Sequence, residues 1–209
     1  MARFPDPGDR HAIESDCQRC DHLAECRERI AWGNGPLDAD LVVVGEAPAA
    51  GDPAAERWRG GNLTGLAYTS RHSGRRIRDL LAAAGYGHGR CYFTNAVKCF
   101  PAGGAGDGRE PTAEERANCR SHLCTELEAI DPGAVIPTGR HATASVLGLG
   151  GGIDGFLDRI LEPVESGSIG APVVPLLHPS YQDVWIAELG FEPESYREAI
   201  AETLDTVLS

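Results

Sequence analysis

The sequence predicts an α/β fold, a three-layer α/β/α sandwich with a central, mainly parallel four-stranded sheet. Short apolar runs rich in β-branched residues alternate with longer stretches in which apolar residues recur at helical spacing. Segments rich in Gly and Pro separate the two kinds of stretch. Such alternation is typical of parallel strands covered by helices on both faces. The 209 residues suffice for one well-filled domain and show no internal repeat, so we expect a single domain over residues 1–209.

The predicted strands are short and apolar. The first, Leu41-Val-Val-Val44, has no polar position, which is typical of a strand buried on both faces. It stops at Gly45. The four predicted strands span residues 41–44, 91–97, 134–138 and 173–177.

The predicted helices carry apolar residues three and four positions apart, and Gly or Pro follows most of them. They span residues 17–31, 73–84, 112–130, 140–147 and 194–208. The third begins at the capping box Thr112-Ala-Glu-Glu115. Between these elements we expect a loose leader over residues 1–12, a long loop over residues 49–65 and a hairpin of undefined edges within residues 150–172.

Composition predicts a soluble, cytoplasmic protein. No apolar stretch approaches the roughly 20 residues that span a bilayer, and the N-terminus lacks the layout of a secretion signal. The formal net charge is -12, and Lys98 is the only lysine. This acidic, lysine-poor composition favours adaptation to high intracellular salt over an ordinary acidic protein, with genomic GC bias as a contributing cause.

Polar residues stand at the end of each predicted strand. Glu46 follows the first, Asn95 lies in the second, His141 follows the third and His178 follows the fourth. Taken singly, each has a structural explanation: Glu46 could cap a helix, and His178 could be a buried structural histidine. Together they lie at the edge where open α/β sheets bind ligands, which favours a functional site.

Three motifs then carry a resemblance to a known family. Gly45-Glu-Ala-Pro48, Thr94-Asn-Ala-Val-Lys-Cys-Phe-Pro101 and His178-Pro-Ser180, in this order, resemble the motifs of the uracil-DNA glycosylase superfamily. They are most similar to its iron–sulfur-containing families 4 and 5, and the match covers roughly residues 17–180. Glu46 is the family 4 form, whereas residues 60–74 resemble the family 5 loop.

The resemblance implies cleavage of the deoxyribose–uracil bond of a flipped-out nucleotide in DNA. Asn95 would read the uracil edge, because an amide accepts from N3–H and donates to O4. A neutral His178 would stabilise the departing base, and Glu46 would position water and favour the sugar cation. Backbone N–H groups around Gly45 and Ala47 would add donors. Tyr68 matches the aromatic residue on which the flipped base stacks. A role as a loop anchor explains this residue equally well.

Three departures from the family pattern bear on function. Ala49 stands where the most selective family has a tyrosine that excludes the thymine methyl, so strict uracil selectivity is not implied. Arg71 stands where the family 5 loop has an Asp, which favours chemistry of the Glu46 type. Residues 103–108 lack the basic insert of the covalently trapping members, so we expect no trapping.

Seven cysteines make a complete disulfide framework improbable, because the number is odd. Cys17-x-x-Cys20, Cys99 and Cys119 could supply four thiolates to zinc or to a [4Fe–4S] cluster. Zinc is less favoured, because the second pair does not form a C-x-x-C knuckle. The resemblance assigns these four positions to a [4Fe–4S] cluster. The other three are predicted to be small buried side chains, with Cys26 near enough to compete as a ligand; these are Cys26, Cys91 and Cys124.

The net charge counts against DNA binding, but arginine is locally concentrated. Between Arg57 and Arg78 the chain holds six arginines and no acidic residue. The simplest alternative is a solvated helix face. We expect phosphate contacts instead, because backbone amides at a helix start also favour phosphate; the predicted contacts are Arg71, Arg75 and Arg76.

The loop His178-Pro-Ser180-Tyr181 resembles the one that enters DNA as a base leaves, which adds Ser180 and Tyr181 to the predicted DNA contacts. Tyr181 or Gln182 would act as the wedge. The implied partner is uracil-containing DNA, single- or double-stranded, bound by a monomer.

Other functions remain open at this stage. A sister glycosylase for hypoxanthine, xanthine or mismatched thymine is compatible with Ala49. A non-catalytic iron–sulfur module would bind DNA and release no base. A nucleotide-binding α/β protein is disfavoured, because no G-x-G-x-x-G sequence follows the first predicted strand.

Overall fold

The fold is α/β and is built around a five-stranded sheet. The computed structural model describes residues 2–70, 72–104, 107–149 and 153–209. In chain order the strands are Arg10–His11 (β1), Gly33–Asn34 (β2), Leu41–Gly45 (β3), Cys91–Asn95 (β4) and Ala134–Pro137 (β5). Their order across the sheet is β1-β2-β4-β3-β5. β3 pairs in parallel with β4 and β5, whereas β1 and β2 add antiparallel pairs at one edge.

The helices lie on both faces of this sheet, as predicted. They are Asp21–Cys26 (α1), Gly61–Thr64 (α2), Ser73–Ala83 (α3), Ala113–Ile130 (α4), Arg140–Leu147 (α5), Gln182–Glu188 (α6) and Pro193–Val207 (α7). Leu41 and Val43 of β3 belong to the core that α3 and α7 complete. Val42 and Val44 point to the opposite core, which α4 and α5 complete. Among the described helices, none has the length and apolarity needed to cross a bilayer.

The predicted capping box at the start of α4 is confirmed. Thr112 Oγ1 accepts from the backbone N–H of Glu115 at 3.1 Å, and the Glu115 carboxylate accepts from the backbone N–H of Thr112 at 2.7 Å. Two free backbone donors of the helix start are thereby satisfied. The apolar stripe of α4 is buried; it consists of Cys119, Leu123, Leu127 and Ile130.

The N-terminal segment differs from the prediction in two ways. The leader is not loose, because β1 pairs with β2 and Arg10 Nε donates to Gly65 O at 2.9 Å. The first helix is shorter than residues 17–31, since the backbone becomes extended at Arg27. The chain beyond it docks on the middle of the molecule, where Ala31 N donates to Lys98 O at 2.7 Å.

The predicted fourth strand is an extended segment with isolated bridges, at Val173 to Val135 and at Leu176 to Thr138. The prolines at 172 and 175 explain this, because neither has an N–H to give to a continuous ladder. Of the hairpin expected within residues 150–172, the structure shows one antiparallel bridge between Val164 and Val173. Residues 150–152 of that prediction lie outside the described part of the chain.

Candidate active site

The ends of β3 and β4 open into a cavity of about 100 Å³. Gly45 and Asn95 are direct partners in the parallel pairing of the two strands, so the first two motifs meet there. The third motif arrives from the segment that follows β5. Of the residues predicted from the sequence, six line this cavity: Gly45, Glu46, Ala47, Tyr68, Asn95 and His178.

Asn95 is 4% exposed and presents an unpaired donor to the cavity. Its Nδ2 has no hydrogen-bond partner in the described part of the chain, although buried amides are almost always paired. A side chain on the facing Gly45 would collide with it, because a Cβ there would lie 2.5 Å from Asn95 Oδ1. The glycine therefore leaves the amide room, and the free donor is suited to a ligand carbonyl.

A buried ion pair holds the backbone of Asn95. Lys98 is 1% exposed, and its Nζ donates to Asn95 O at 2.6 Å and to Glu126 Oε2 at 2.6 Å. Glu126 is fully buried and also accepts from Thr94 Oγ1 at 2.7 Å. Sequence reasoning missed this positioning role of Lys98. The available signal was that the chain's only lysine stands three residues after the site asparagine.

The imidazole of His178 is held in one tautomer. The backbone N–H of Ser180 donates to His178 Nδ1 at 3.2 Å, so in the neutral ring the proton is on Nε2. Burial lowers the pKa of His178, which keeps the ring neutral at physiological pH. The site therefore contains a neutral N–H donor.

Glu46 carries an unpaired carboxylate oxygen. Its Oε1 is buried and has no hydrogen-bond partner among the described residues. Burial raises the pKa of Glu46, which the nearby imidazole of His141 opposes and the carboxylate of Glu110 reinforces. The carboxylate thus loses its charge at a higher pH than an ordinary glutamate does, and its free oxygen can accept a proton or a hydrogen bond.

Tyr68 is both anchored and exposed to the cavity. Its Oη and Thr138 Oγ1 are hydrogen-bonded at 2.6 Å, and its ring meets Phe93 edge-on at 5.7 Å. The residue has a positive φ of 52°, an uncommon conformation that these contacts hold. The anchoring interpretation therefore describes its contacts, and its position in the cavity wall is compatible with the stacking interpretation as well.

A second and larger cavity, of about 870 Å³, adjoins the first. The two share Glu46 and His178. His141 at the start of α5, Phe156, and Trp185 on α6 contribute to its wall. Glu46 and His178 therefore lie between two open spaces.

The predicted phosphate contacts are not equally available. Arg75 is half-buried, with its guanidinium 5.9 Å from the Trp58 ring centre. Arg76 pairs with Asp183 of α6, at 2.7 Å between Nη1 and Oδ2. Arg78, which lies in the same arginine-rich stretch, is buried, and its Nη2 donates to Asn34 Oδ1 at 2.8 Å. Arg71 lies outside the described residues.

The loop after His178 reaches the surface. Ser180 is exposed, and Tyr181 is 61% exposed. Gln182 is buried, so the alternative that it wedges into DNA is wrong. Val184 and Trp185 are exposed on the next turn, which gives this rim an apolar surface beside the cavities.

The four predicted metal ligands pack together in one group of mainly buried apolar side chains. Cys17, Cys99 and Cys119 are buried there, and Cys20 packs against them from the half-buried edge. All seven cysteines of the chain are free. The prediction that the other three are buried is correct for Cys91 alone, because Cys26 and Cys124 are half-buried. Cys26 packs against the same cluster, with its Sγ 3.4 Å from Phe100 O.

Each of the four predicted ligand sulfur atoms lies within hydrogen-bonding distance of a polar nitrogen. His122 Nε2 is 3.4 Å from Cys17 Sγ, Asn118 Nδ2 donates to Cys20 at 3.5 Å, and Arg27 Nη1 donates to Cys99 at 3.6 Å. The backbone N–H of Lys98 donates to Cys119. Donors of this kind stabilise thiolate ligands and tune the metal group that they hold.

The spacing of the sulfur atoms bears on which group they suit. Within the described residues, Glu14, Cys17 and His122 are the sole set of three ligating side chains within 4.8 Å of one another. Tetrahedral zinc, with Zn–S bonds of about 2.3 Å, would bring its sulfur ligands to ~3.8 Å. No three of the four cysteine sulfur atoms lie within 4.8 Å of one another, so they do not form a compact tetrahedral zinc site in this structure.

Comparison with known proteins gives one family. The model of the Uracil DNA glycosylase superfamily matches residues 32–203. A type-5 uracil-DNA glycosylase of Pyrobaculum aerophilum is 34% identical over 160 residues, which cover 63% of this chain and 65% of the relative. A type-4 uracil-DNA glycosylase of Archaeoglobus fulgidus is 32% identical over 133 residues, 64% of this chain and 59% of the relative.

A type-4 uracil-DNA glycosylase of Thermotoga maritima is 32% identical over 159 residues, which cover 74% of this chain and 72% of the relative. The first two alignments cover less than two thirds of their relatives' lengths, at 65% and 59%.

Proposed function

The chain belongs to the uracil-DNA glycosylase superfamily, and from this premise we propose that it is a monofunctional uracil-DNA glycosylase. It would hydrolyse the N-glycosidic bond of a deoxyuridine flipped out of DNA and so begin base-excision repair. One observation carries the proposal. Asn95 Nδ2 and Glu46 Oε1 are both buried without a hydrogen-bond partner among the described residues, and both belong to a cavity that His178 completes.

Recognition falls to Asn95. An amide can donate Nδ2–H to uracil O4 and accept N3–H at Oδ1, whereas cytosine presents the reverse pattern and is refused. Lys98 supports this role, because its ammonium group donates to the backbone carbonyl of Asn95. This contact fixes the backbone from which the Asn95 side chain projects. A misplaced amide would lose the paired contacts on which discrimination depends.

Bond cleavage requires one group that stabilises negative charge on the base and another that stabilises positive charge on the sugar. As the bond breaks, negative charge develops on the base and positive charge on the sugar. The Nε2–H of neutral His178 can stabilise the developing anion at uracil O2. The carboxylate of Glu46 can stabilise the sugar cation, and its free oxygen can accept a proton from the attacking water.

DNA would be held around this cavity, in single- or double-stranded form. Tyr68 offers its ring to the flipped base. Arg75 and the exposed Ser180 would contact the DNA backbone. Tyr181 would occupy the space that the flipped base leaves in the DNA. Arg71 remains a proposed phosphate contact from its sequence position, whereas Arg76 would first have to leave Asp183.

The four clustered cysteines would hold a [4Fe–4S] cluster, in preference to zinc. Their donor set of four thiolates, packed in one buried cluster of side chains, and the polar nitrogen near each sulfur atom support this assignment. When bound, the cluster would link the N-terminal segment covalently to the loop after β4 and to α4. The ligands would be Cys17, Cys20, Cys99 and Cys119.

The rest of the proposal concerns the state of the protein. We propose a single domain over residues 1–209 that acts as a monomer in the cytoplasm.

The test is base release from a uracil-containing oligonucleotide under single-turnover conditions. Glu46→Gln and His178→Ala should each lower the rate by about 10²-fold or more while DNA affinity changes little. Glu128→Gln, an exposed substitution on α4, is the matched control. Near-normal rates in both site variants would contradict the assigned roles. Asn95→Asp should lose uracil release and gain some cytosine release.

A second candidate has one observation in its favour. Ala49 lines the cavity and is exposed, so no large side chain at this position excludes a thymine methyl. A panel of oligonucleotides with uracil, hypoxanthine, xanthine or mismatched thymine separates a selective enzyme from a sister glycosylase. Binding without release of any base would instead indicate a non-catalytic iron–sulfur module.

A further inference from the structure

Two carboxylates flank one imidazole beside the candidate active site. His141, the second residue of α5, has its Nε2 at 3.0 Å from Glu110 Oε1 and its Nδ1 at 4.0 Å from Glu46 Oε1. Glu110 is 67% exposed, whereas the side chains of His141 and Glu46 are 26% and 25% exposed. The three groups thus run from the surface into the wall that the two cavities share.

The two contacts of the imidazole differ in kind. A carboxylate only accepts, so Glu110 fixes a proton on Nε2. The separation on the other side, 4.0 Å, is an ion-pair distance and is too long for a hydrogen bond. A protonated His141 would therefore act on Glu46 through its charge, and Glu46 Oε1 would remain free to accept from another group.

We propose that His141, anchored by Glu110, is the positioning residue that keeps Glu46 ionised and correctly placed for the attack of water. The proposal rests on the role given to Glu46 above. Among the described residues, His141 is the sole basic side chain with a nitrogen within 4.0 Å of a Glu46 carboxylate oxygen. The sequence placed Glu46 and His141 at the same edge of the sheet, but it gave no sign that Glu110 contacts His141.

The other charges around Glu46 are weaker or oppose this effect. Burial raises the pKa of Glu46, and His141 is the largest influence that lowers it. Glu110 raises this pKa, whereas Arg116 of α4 and Arg140 of α5 lower it to a smaller extent. The remaining titratable groups of the small cavity wall are His178, kept neutral by burial, and Tyr68, whose pKa burial raises.

The experiment compares His141→Gln and His141→Arg with the wild type in single-turnover uracil release between pH 5 and 9. Loss of the cation lets Glu46 protonate at higher pH. His141→Gln should therefore be slower by about tenfold near pH 6 and should recover toward the wild-type rate as the pH rises. His141→Arg keeps a cation and should restore the wild-type pH profile. Affinity for DNA should stay within about twofold.

A second readout does not depend on turnover. The protein is labelled with ¹³C at glutamate carboxyl carbons, and the Glu46 signal is assigned by its loss in Glu46→Gln. This signal should titrate at higher pH in His141→Gln than in the wild type. In His141→Arg the titration should return to the wild-type pH. His88→Gln, a loop substitution remote from both cavities, is the matched control for each measurement.

The outcomes separate the two proposals. A wild-type protein that releases no uracil overturns the proposed function, while the carboxyl titration still decides whether His141 governs Glu46. An active wild type with an unchanged profile and titration in His141→Gln overturns the positioning role. Equal losses of the uracil-release rate in both His141 variants at every pH would show that His141 has a packing role only. That result would also overturn the positioning role.

Discussion

At the scale of single residues, the candidate site depends on groups that never face the ligand. Lys98 and Glu126 form a fully buried ion pair, and their hydrogen bonds reach the backbone of Asn95 and the hydroxyl of Thr94. Buried charges are tolerated only where each is paired and hydrogen-bonded. This network therefore couples the stability of the core to the orientation of the proposed reading amide.

Replacing Lys98 by Met should destabilise the protein strongly. The change leaves the Glu126 carboxylate buried and uncompensated, at a cost of about 3–5 kcal/mol. Arg197→Met on α7 is the control, because it removes an exposed ion pair with Glu194 worth roughly 1 kcal/mol or less. Urea unfolding measures both. Equal effects of the two substitutions would contradict the structural importance of the buried pair.

At the scale of elements, local signals allowed prediction where a pattern lies within one segment. The three central strands and α4 were predictable, because an apolar run and a capping box are complete in themselves. β1 and β2 were not, since two residues each carry no periodicity and pairing partners alone make them strands. α6 was missed as well, and its length of 7 residues leaves little periodic signal.

The candidate site shows the same division. The three motifs predicted the superfamily correctly, and the structure brings their polar residues to one cavity. Contacts between distant segments had no such signal. Arg76 was predicted as a phosphate contact, yet its partner Asp183 lies 107 positions away. The ion pair of Lys98 with Glu126 likewise depends on how α4 packs against β4.

Removing the cap of α4 should cost a defined amount of stability. Thr112→Ala deletes the side-chain acceptor of the capping box and should lower the free energy of unfolding by about 1 kcal/mol. Thr125→Ala, an exposed position inside the same helix, should be neutral or slightly stabilising, because alanine has the higher helix propensity. A larger loss at 125 than at 112 would argue against the capping contribution.

At the scale of the whole molecule, the proposed function requires an acidic chain to bind a polyanion. The net charge is -12, so under that proposal attraction to DNA comes from local arginines such as the half-buried Arg75 and the exposed Arg140. Interaction with phosphates weakens steeply as salt rises. Adaptation to high salt, which remains a prediction from composition, would therefore place a greater share of affinity on Tyr68, Tyr181 and other uncharged contacts.

The proposed cluster should be measurable as iron and as rigidity of the N-terminal segment. Protein purified without oxygen should be brown and carry about four irons per chain. Cys99→Ala should lose the iron and accelerate amide exchange over residues 17–31, because the link to β4 is gone. Cys124→Ala, outside the cluster, should keep both properties. A colourless wild type that contains zinc would contradict the assignment.

Because Lys98 is buried, its chemical modification can report on transient local opening of the fold. Since no other residue carries a side-chain amine and this one is 1% exposed, an acylating reagent can modify a lysine only while the middle of the molecule is transiently apart. The fraction of peptides modified during a short pulse would then count opening events in the core that supports the site, without any engineered label.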